Sequence, residues 1–184
     1  MNFNKHSDLI GEHAFLSPSK YHWINYDEEK LSSSFTKFLA IQKGVQLHDL
    51  ARRCIELGVK LPKSNKSLNQ YVNDAIGYRM TSEQPLFYSF NAFGTADAIS
   101  FSHSMLRIHD LKTGITLVSI SQLEIYAALF CLEYQIRAID INIELRIYQT
   151  DNILVHIPES ENILNIMDKI VLFDKKIESL KTEE

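Results

Sequence analysis

The stretch MLRIHDLKTG, residues 105–114, decides how the rest of the chain is read. It is apolar enough for a strand, yet it carries Asp110 and Lys112 two positions apart, just before a turn at Thr113–Gly114. On a strand, residues i and i+2 point to the same face. Asp110 and Lys112 then project side by side, with Leu111 buried behind them. Such a pair is either the solvated end of a hairpin or half of a metal-dependent phosphodiesterase site.

Upstream, LFYSFNAFG (86–94) and ADAISFS (96–102) read as two further strands, so that the three form a meander. Before them lies a helix over 34–58, with Leu47, Leu50, Ala51 and Cys54 at i, i+3, i+4 and i+7 and Gly58 as its stop. A second helix covers 68–78. Downstream, residues 119–136 form a third helix, INIELRIYQ (141–149) and NILVHIP (152–158) are strands, and a closing helix runs over 160–181. The chain has no internal repeat and no low-complexity segment.

With 184 residues, 45% of them hydrophobic, the chain suits one domain with a proper core, spanning 1–184, and is too short for two of ordinary size. Cys54 and Cys131 sit inside helical patterns without the paired C-x-x-C spacing of a zinc or iron–sulfur site. A reducing cytoplasm is the expected compartment. The opening MNFNKHSDLIGEHAF lacks the apolar core of a signal peptide, and no apolar run is long enough to span a bilayer, so no membrane association is expected. A net charge of −4 argues against a protein that coats nucleic acid by bulk electrostatics. Any such contact must be local. Lys60, Lys63 and Lys66 in VKLPKSNKS form the visible basic cluster, either a track for a phosphate backbone or an ordinary solvated loop.

Two candidate residues lie on the third helix. Ser121 and Glu124 have capping-box spacing, which makes Glu124 a cap rather than a catalytic acid. Leu123, Tyr126, Ala127 and Phe130 form the apolar stripe, and Gln122 lies four residues before Tyr126, on its side of the helix. An amide and a phenol at one end of a buried face can both reach a ligand. The D-x-K spacing alone is common: Asp174 and Lys176 repeat it, and Glu28 with Lys30 gives its E-x-K version. Neither repeat falls on a predicted strand, where a period of two aims both side chains at one point. Asp110 and Lys112 do, and Asp97 stands thirteen residues upstream in FGTADAISF, at the start of the preceding strand and behind Gly94, which suits a bend or a close backbone approach. A hairpin brings Asp97 towards Asp110. Two converging, partly buried carboxylates repel unless a cation lies between them, and magnesium or manganese is the usual one. Asp97 can equally finish a turn.

The ordered set of His48 in KGVQLHDLA, Asp97 in GTADAI, Asp110 and Lys112 in IHDLKTG, and Gln122 with Tyr126 in QLEIY resembles the PD-(D/E)XK nuclease superfamily. It is most similar to the branch holding the RecB nuclease domain, the CRISPR adaptation nucleases and the phage exonucleases related more distantly to lambda exonuclease. EHAFLSPSKYHWIN (12–25) and RIYQTDNI (146–153) also resemble a phage-encoded family within that branch. The resemblance implies a small α/β domain with a restriction-endonuclease-like core, a central mixed β-sheet flanked by helices. It further implies a Mg2+- or Mn2+-dependent deoxyribonuclease, an exonuclease of phage or prophage recombination. Asp97, Asp110, His48 and the Leu111 carbonyl are the implied metal ligands, Lys112 the residue at the attacking water, and Gln122 and Tyr126 its neighbours that orient water or DNA. DNA is the implied substrate, with a helicase or single-strand annealing protein as partner and a homo-oligomer such as a toroidal trimer as the assembly. Asn25 and Tyr26 stand near where cluster-binding members place a first cysteine, so no iron–sulfur cluster is expected. No G-x-x-x-x-G-K-[ST] occurs, so unwinding must come from a partner.

Blander readings stand beside these. His48 alone is an ordinary helix residue, although Gly44 one turn earlier leaves room near it. The main alternative function is a non-catalytic nuclease-fold protein that binds DNA ends or a host repair enzyme, as scaffold or inhibitor. A third, a structural core with accidental polar residues, predicts that the candidate side chains are not clustered.

Overall fold

Strand β3 (Met105–Lys112) runs with β4 (Asn142–Gln149) in parallel, Lys112 standing opposite Gln149, and this pairing organises the sheet. The structure is a computed structural model that describes residues 4–116 and 118–182. Strands β1 (Thr81–Ser89), β2 (Ala92–Ser102), β3, β4 and β5 (Asn152–His156) lie side by side in sequence order, and every pair except β3–β4 is antiparallel. Parallel neighbours need a long crossover. Helix α3 (Ser121–Glu133) lies in that crossover; the other helices are α1 (Glu28–Leu57), α2 (Ser67–Gly77) and α4 (Ser160–Thr182). The chain is thus α/β, with a five-stranded mixed sheet flanked by helices.

Two compact units divide the chain, Met1–Val45 and Gln46–Glu184. In the first, the Phe15 ring packs at 5.1 Å from Phe35 and 5.3 Å from Phe38. The second contains the sheet and all the candidate residues. Within it, Leu106 and Ile108 of β3 pack against Leu123, Ala127 and Phe130 of α3 and Ile163 of α4. Leu111 faces the other way, against Ala51, Cys54 and Ile55 of α1 and Tyr71, Val72 and Ala75 of α2. Helices on both faces explain why Ile108, His109, Asp110 and Leu111 are all buried.

Several boundaries differ from the sequence reading. Helix α1 starts at Glu28 rather than 34, because the Asp27 carboxylate accepts the Lys30 N–H at 2.7 Å and Glu28 and Glu29 favour the positive helix end. Its stop is the predicted one: Gly58, at φ +66°, lets the Gly58 and Val59 amides reach the carbonyls of Ile55 and Cys54. LFYSFNAFG is not one strand, since the chain turns at Phe90–Asn91 and pairs Phe87 with Phe93. β1 starts before Pro85, which an edge strand tolerates. Cys54 and Cys131 are free and buried. Among the described residues no helix is long and apolar enough to cross a membrane.

Candidate metal centre

Backbone pairing of β2 with β3 ends at Ala98 and His109. Beyond it the Leu111 N–H donates to Asp97 Oδ2 at 3.2 Å, so a carboxylate satisfies an amide that a continuing ladder would have paired. Asp97 lies in the middle of β2, not at its start, because β2 begins directly after the Phe90–Asn91 turn. His48 lies one and two turns before Ala51 and Ile55 on the buried side of α1, and its Nδ1 is 3.5 Å from Asp97 Oδ2.

A second set adjoins this one. Lys112 Nζ donates to Asp110 Oδ1 and to Gln122 Oε1, both at 3.0 Å, and Gln122 Nε2 donates to the Tyr126 hydroxyl at 3.3 Å. The expected i, i+2 pairing on β3 and i, i+4 pairing on α3 are therefore both present. The Asp110 side chain is only 3% exposed, and its Oδ2 has no hydrogen-bond partner among the described residues. Gly94 serves a close approach: a Cβ there would lie 2.9 Å from Cε1 of Tyr126. Gly94→Ala should push the Tyr126 ring off Gln122 and destabilise the fold by ~1–3 kcal/mol, the scale of overpacking, as read by urea unfolding. An unchanged midpoint would show that the ring has free space.

His48 with Asp97 and Lys112 with Asp110 form two adjacent pairs, and Asp110 is near enough to Asp97 to raise the pKa of its carboxyl. The half-buried Asp97 carboxylate faces the His48 imidazole, and the buried Asp110 carboxylate faces the Lys112 ammonium. Glu83 of β1 joins the first pair, and sequence reasoning missed it. Ligand atoms of His48, Glu83 and Asp97 all lie within 4.8 Å of one another. Glu83 sits at φ +49°, where neither it nor Asp97 pairs although Ser82–Ala98 and Gln84–Ala96 on either side do. A non-glycine residue in that region costs ~1–3 kcal/mol and tends to occur at functional sites. Its only sequence signal is its position opposite Asp97, visible once the hairpin register is known.

Electrostatically the two pairs act together. Burial, then the neighbouring Asp110, pushes the Asp97 carboxyl up to about 6, against the pull of His48 and the Leu111 N–H. Burial also raises Asp110, with Lys112 and then His48 opposing it. Since the Asp97 folded value exceeds its ordinary 3.8, its contribution to stability is full below about pH 4 and is lost as pH rises through about 6. Metal-free Asp97→Asn should accordingly gain stability relative to wild type between pH 4 and pH 6.5 in urea unfolding. A constant difference across that range would contradict the assignment.

The other acidic candidates have structural partners. Asp174, of the second D-x-K, accepts from Ser89 Oγ at 2.6 Å and Asn91 Nδ2 at 2.8 Å, tying the β1–β2 turn to α4. Glu124 is not a cap: Ile120 takes the cap position, Ser121 Oγ is engaged by Ser119, and Glu124 Oε1 lies 3.3 Å from His156 Nε2. The capping-box spacing was one residue out of register with the helix start. The chain matches no protein-family model and no curated protein.

Proposed function

We propose that the chain is a metal-dependent deoxyribonuclease of the PD-(D/E)XK type, with a restriction-endonuclease-like core, acting as an exonuclease in phage or prophage recombination. The observation that carries this reading is Lys112, held between Asp110 and Gln122 beside a buried carboxylate oxygen that lacks a partner among the described residues. An ion pair built only for stability has no use for that unbonded oxygen, since a buried unsatisfied acceptor costs ~1–3 kcal/mol. A hard divalent cation would use it.

Carboxylate oxygens with one imidazole suit Mg2+ or Mn2+. Asp97, Asp110, His48 and the Leu111 carbonyl would hold the ion, with Glu83 added from β1. When bound, it supplies charge neutralisation at the phosphate and a bound water of lowered pKa. Lys112 orients the attacking water and stabilises the negative charge that develops on the phosphoryl oxygens. Gln122 fixes the Lys112 ammonium and, through Tyr126, orients the DNA backbone beside it. Contacts of this kind carry no sequence information, so cleavage should be indifferent to base sequence. A helicase or single-strand annealing protein would present the DNA end, and a homo-oligomer such as a toroidal trimer would keep the enzyme on it.

Mn2+ should raise the thermal midpoint of the wild type in a concentration-dependent way, by mass action on the folded state. The shift should disappear in His48→Ala/Asp97→Asn. A wild-type midpoint that ignores millimolar Mn2+ and Mg2+ would contradict the metal centre.

A further inference from the structure

We propose that the loop preceding α2 is a second phosphate site, which holds the backbone of the substrate strand a few nucleotides from the point of cleavage. It deepens the nuclease reading and rests on it for the identity of the strand. An open cavity of about 670 Å3 lies here, lined by Lys60, Lys63, Ser64, Asn65 and Gln70 among others. Lys60 and Lys63 are exposed and form no ion pair among the described residues, whereas Lys66 is held by Asp151 at 3.3 Å. The basic cluster read from the sequence is therefore two free cations and one anchor.

The loop is preorganised. Asn73 of α2 accepts the Leu61 N–H at 2.9 Å and donates to the Leu61 carbonyl at 3.0 Å, and Asn69 donates to the Pro62 carbonyl at 2.8 Å. These bonds fix the backbone between Lys60 and Lys63, which reduces the ordering cost of binding an anion. Asp74, the carboxylate of the cavity wall, is already matched by Arg146 at 3.1 Å and by the Tyr148 hydroxyl at 2.7 Å. Its charge is thereby partly offset.

Topology ties the C-terminal end of the loop to the sheet end that carries Lys112. Lys112 stands opposite Gln149, about 5 Å away at ordinary strand spacing. Two residues after Gln149, the Asp151 carboxylate accepts the Ser67 N–H at 3.0 Å and the Asp151 N–H donates to Ser67 Oγ at 2.8 Å. The loop is thereby anchored at the same sheet end as Lys112. In a chain of net charge −4, a strand has to be gripped by such local cations.

The test is binding by the full chain of a labelled duplex oligonucleotide in Ca2+, measured against salt, beside titration with inorganic phosphate followed at the loop amides by NMR. Lys60→Ala/Lys63→Ala should lower the slope of log affinity against log salt by about 1.5–2, for two lost phosphate contacts. Lys169→Ala/Lys175→Ala on α4 should leave the slope unchanged. Loop amides that shift with millimolar phosphate while the slope stays fixed would keep the phosphate site but assign it to a free anion and overturn the strand assignment. An unchanged slope with unmoved amides overturns the site, and leaves the nuclease reading intact if the wild type cuts DNA. A reduced slope in a protein that never cuts supports the site and overturns the nuclease reading.

Discussion

Asp110→Asn should reduce single-turnover cleavage on the order of a thousandfold or more, because it removes the most buried anion of the proposed metal centre. Losing the several kcal/mol that a bound cation contributes corresponds to that factor, at ~1.4 kcal/mol per tenfold. The substitution has a second, opposite effect. In the metal-free protein the Asp110 carboxylate is desolvated, raised in pKa, and left with one oxygen unbonded among the described residues. Asparagine carries no charge to desolvate, so metal-free Asp110→Asn should unfold at no lower temperature than wild type while the stabilisation by Mn2+ is lost. A variant both unfolded and inactive would show instead that Asp110 is a structural member of the core.

Lys112→Ala should separate binding from chemistry. The ammonium lies 3.0 Å from Asp110 Oδ1, where it competes with a metal for the same carboxylate. Its removal relieves like-charge repulsion, so Mn2+ binding by calorimetry should persist or tighten at neutral pH. Cleavage should nonetheless fall by ~10²–10³, the scale of one preorganised donor lost from a transition state. Asp174→Asn, in the D-x-K of α4, should leave cleavage within about two- to threefold of wild type, as for other changes outside a site. If Lys112→Ala cut like wild type, or Asp174→Asn were the inactive variant, MLRIHDLKTG would be no more than the end of a hairpin.

The parts of the site that were legible in the sequence are those whose geometry is local. Asp110 and Lys112 meet because a strand repeats every two residues, and Gln122 and Tyr126 because a helix brings i and i+4 together. The pairing of His48 with Asp97 spans a helix and a strand, and the order of motifs in a resembling family suggested it where spacing could not. Glu83 was invisible for a related reason: its place depends on the β1–β2 register, and the Phe90–Asn91 turn has neither glycine nor proline to mark it. The first turns of α1 were missed because residues 28–33 lack an apolar stripe, so the helix start rests on the Asp27 cap and on charge. The parallel β3–β4 pairing was expected only as part of a mixed sheet, although the helical run between two apolar strands is what permits it.

The central claim, a metal-dependent nuclease, is tested most directly by incubating end-labelled linear DNA and closed circular DNA with the protein in Mg2+, in Mn2+ and in EDTA. The account predicts that the linear DNA is degraded in either metal and intact in EDTA, while the closed circle survives in all three. Linear DNA left intact in both metals would contradict it.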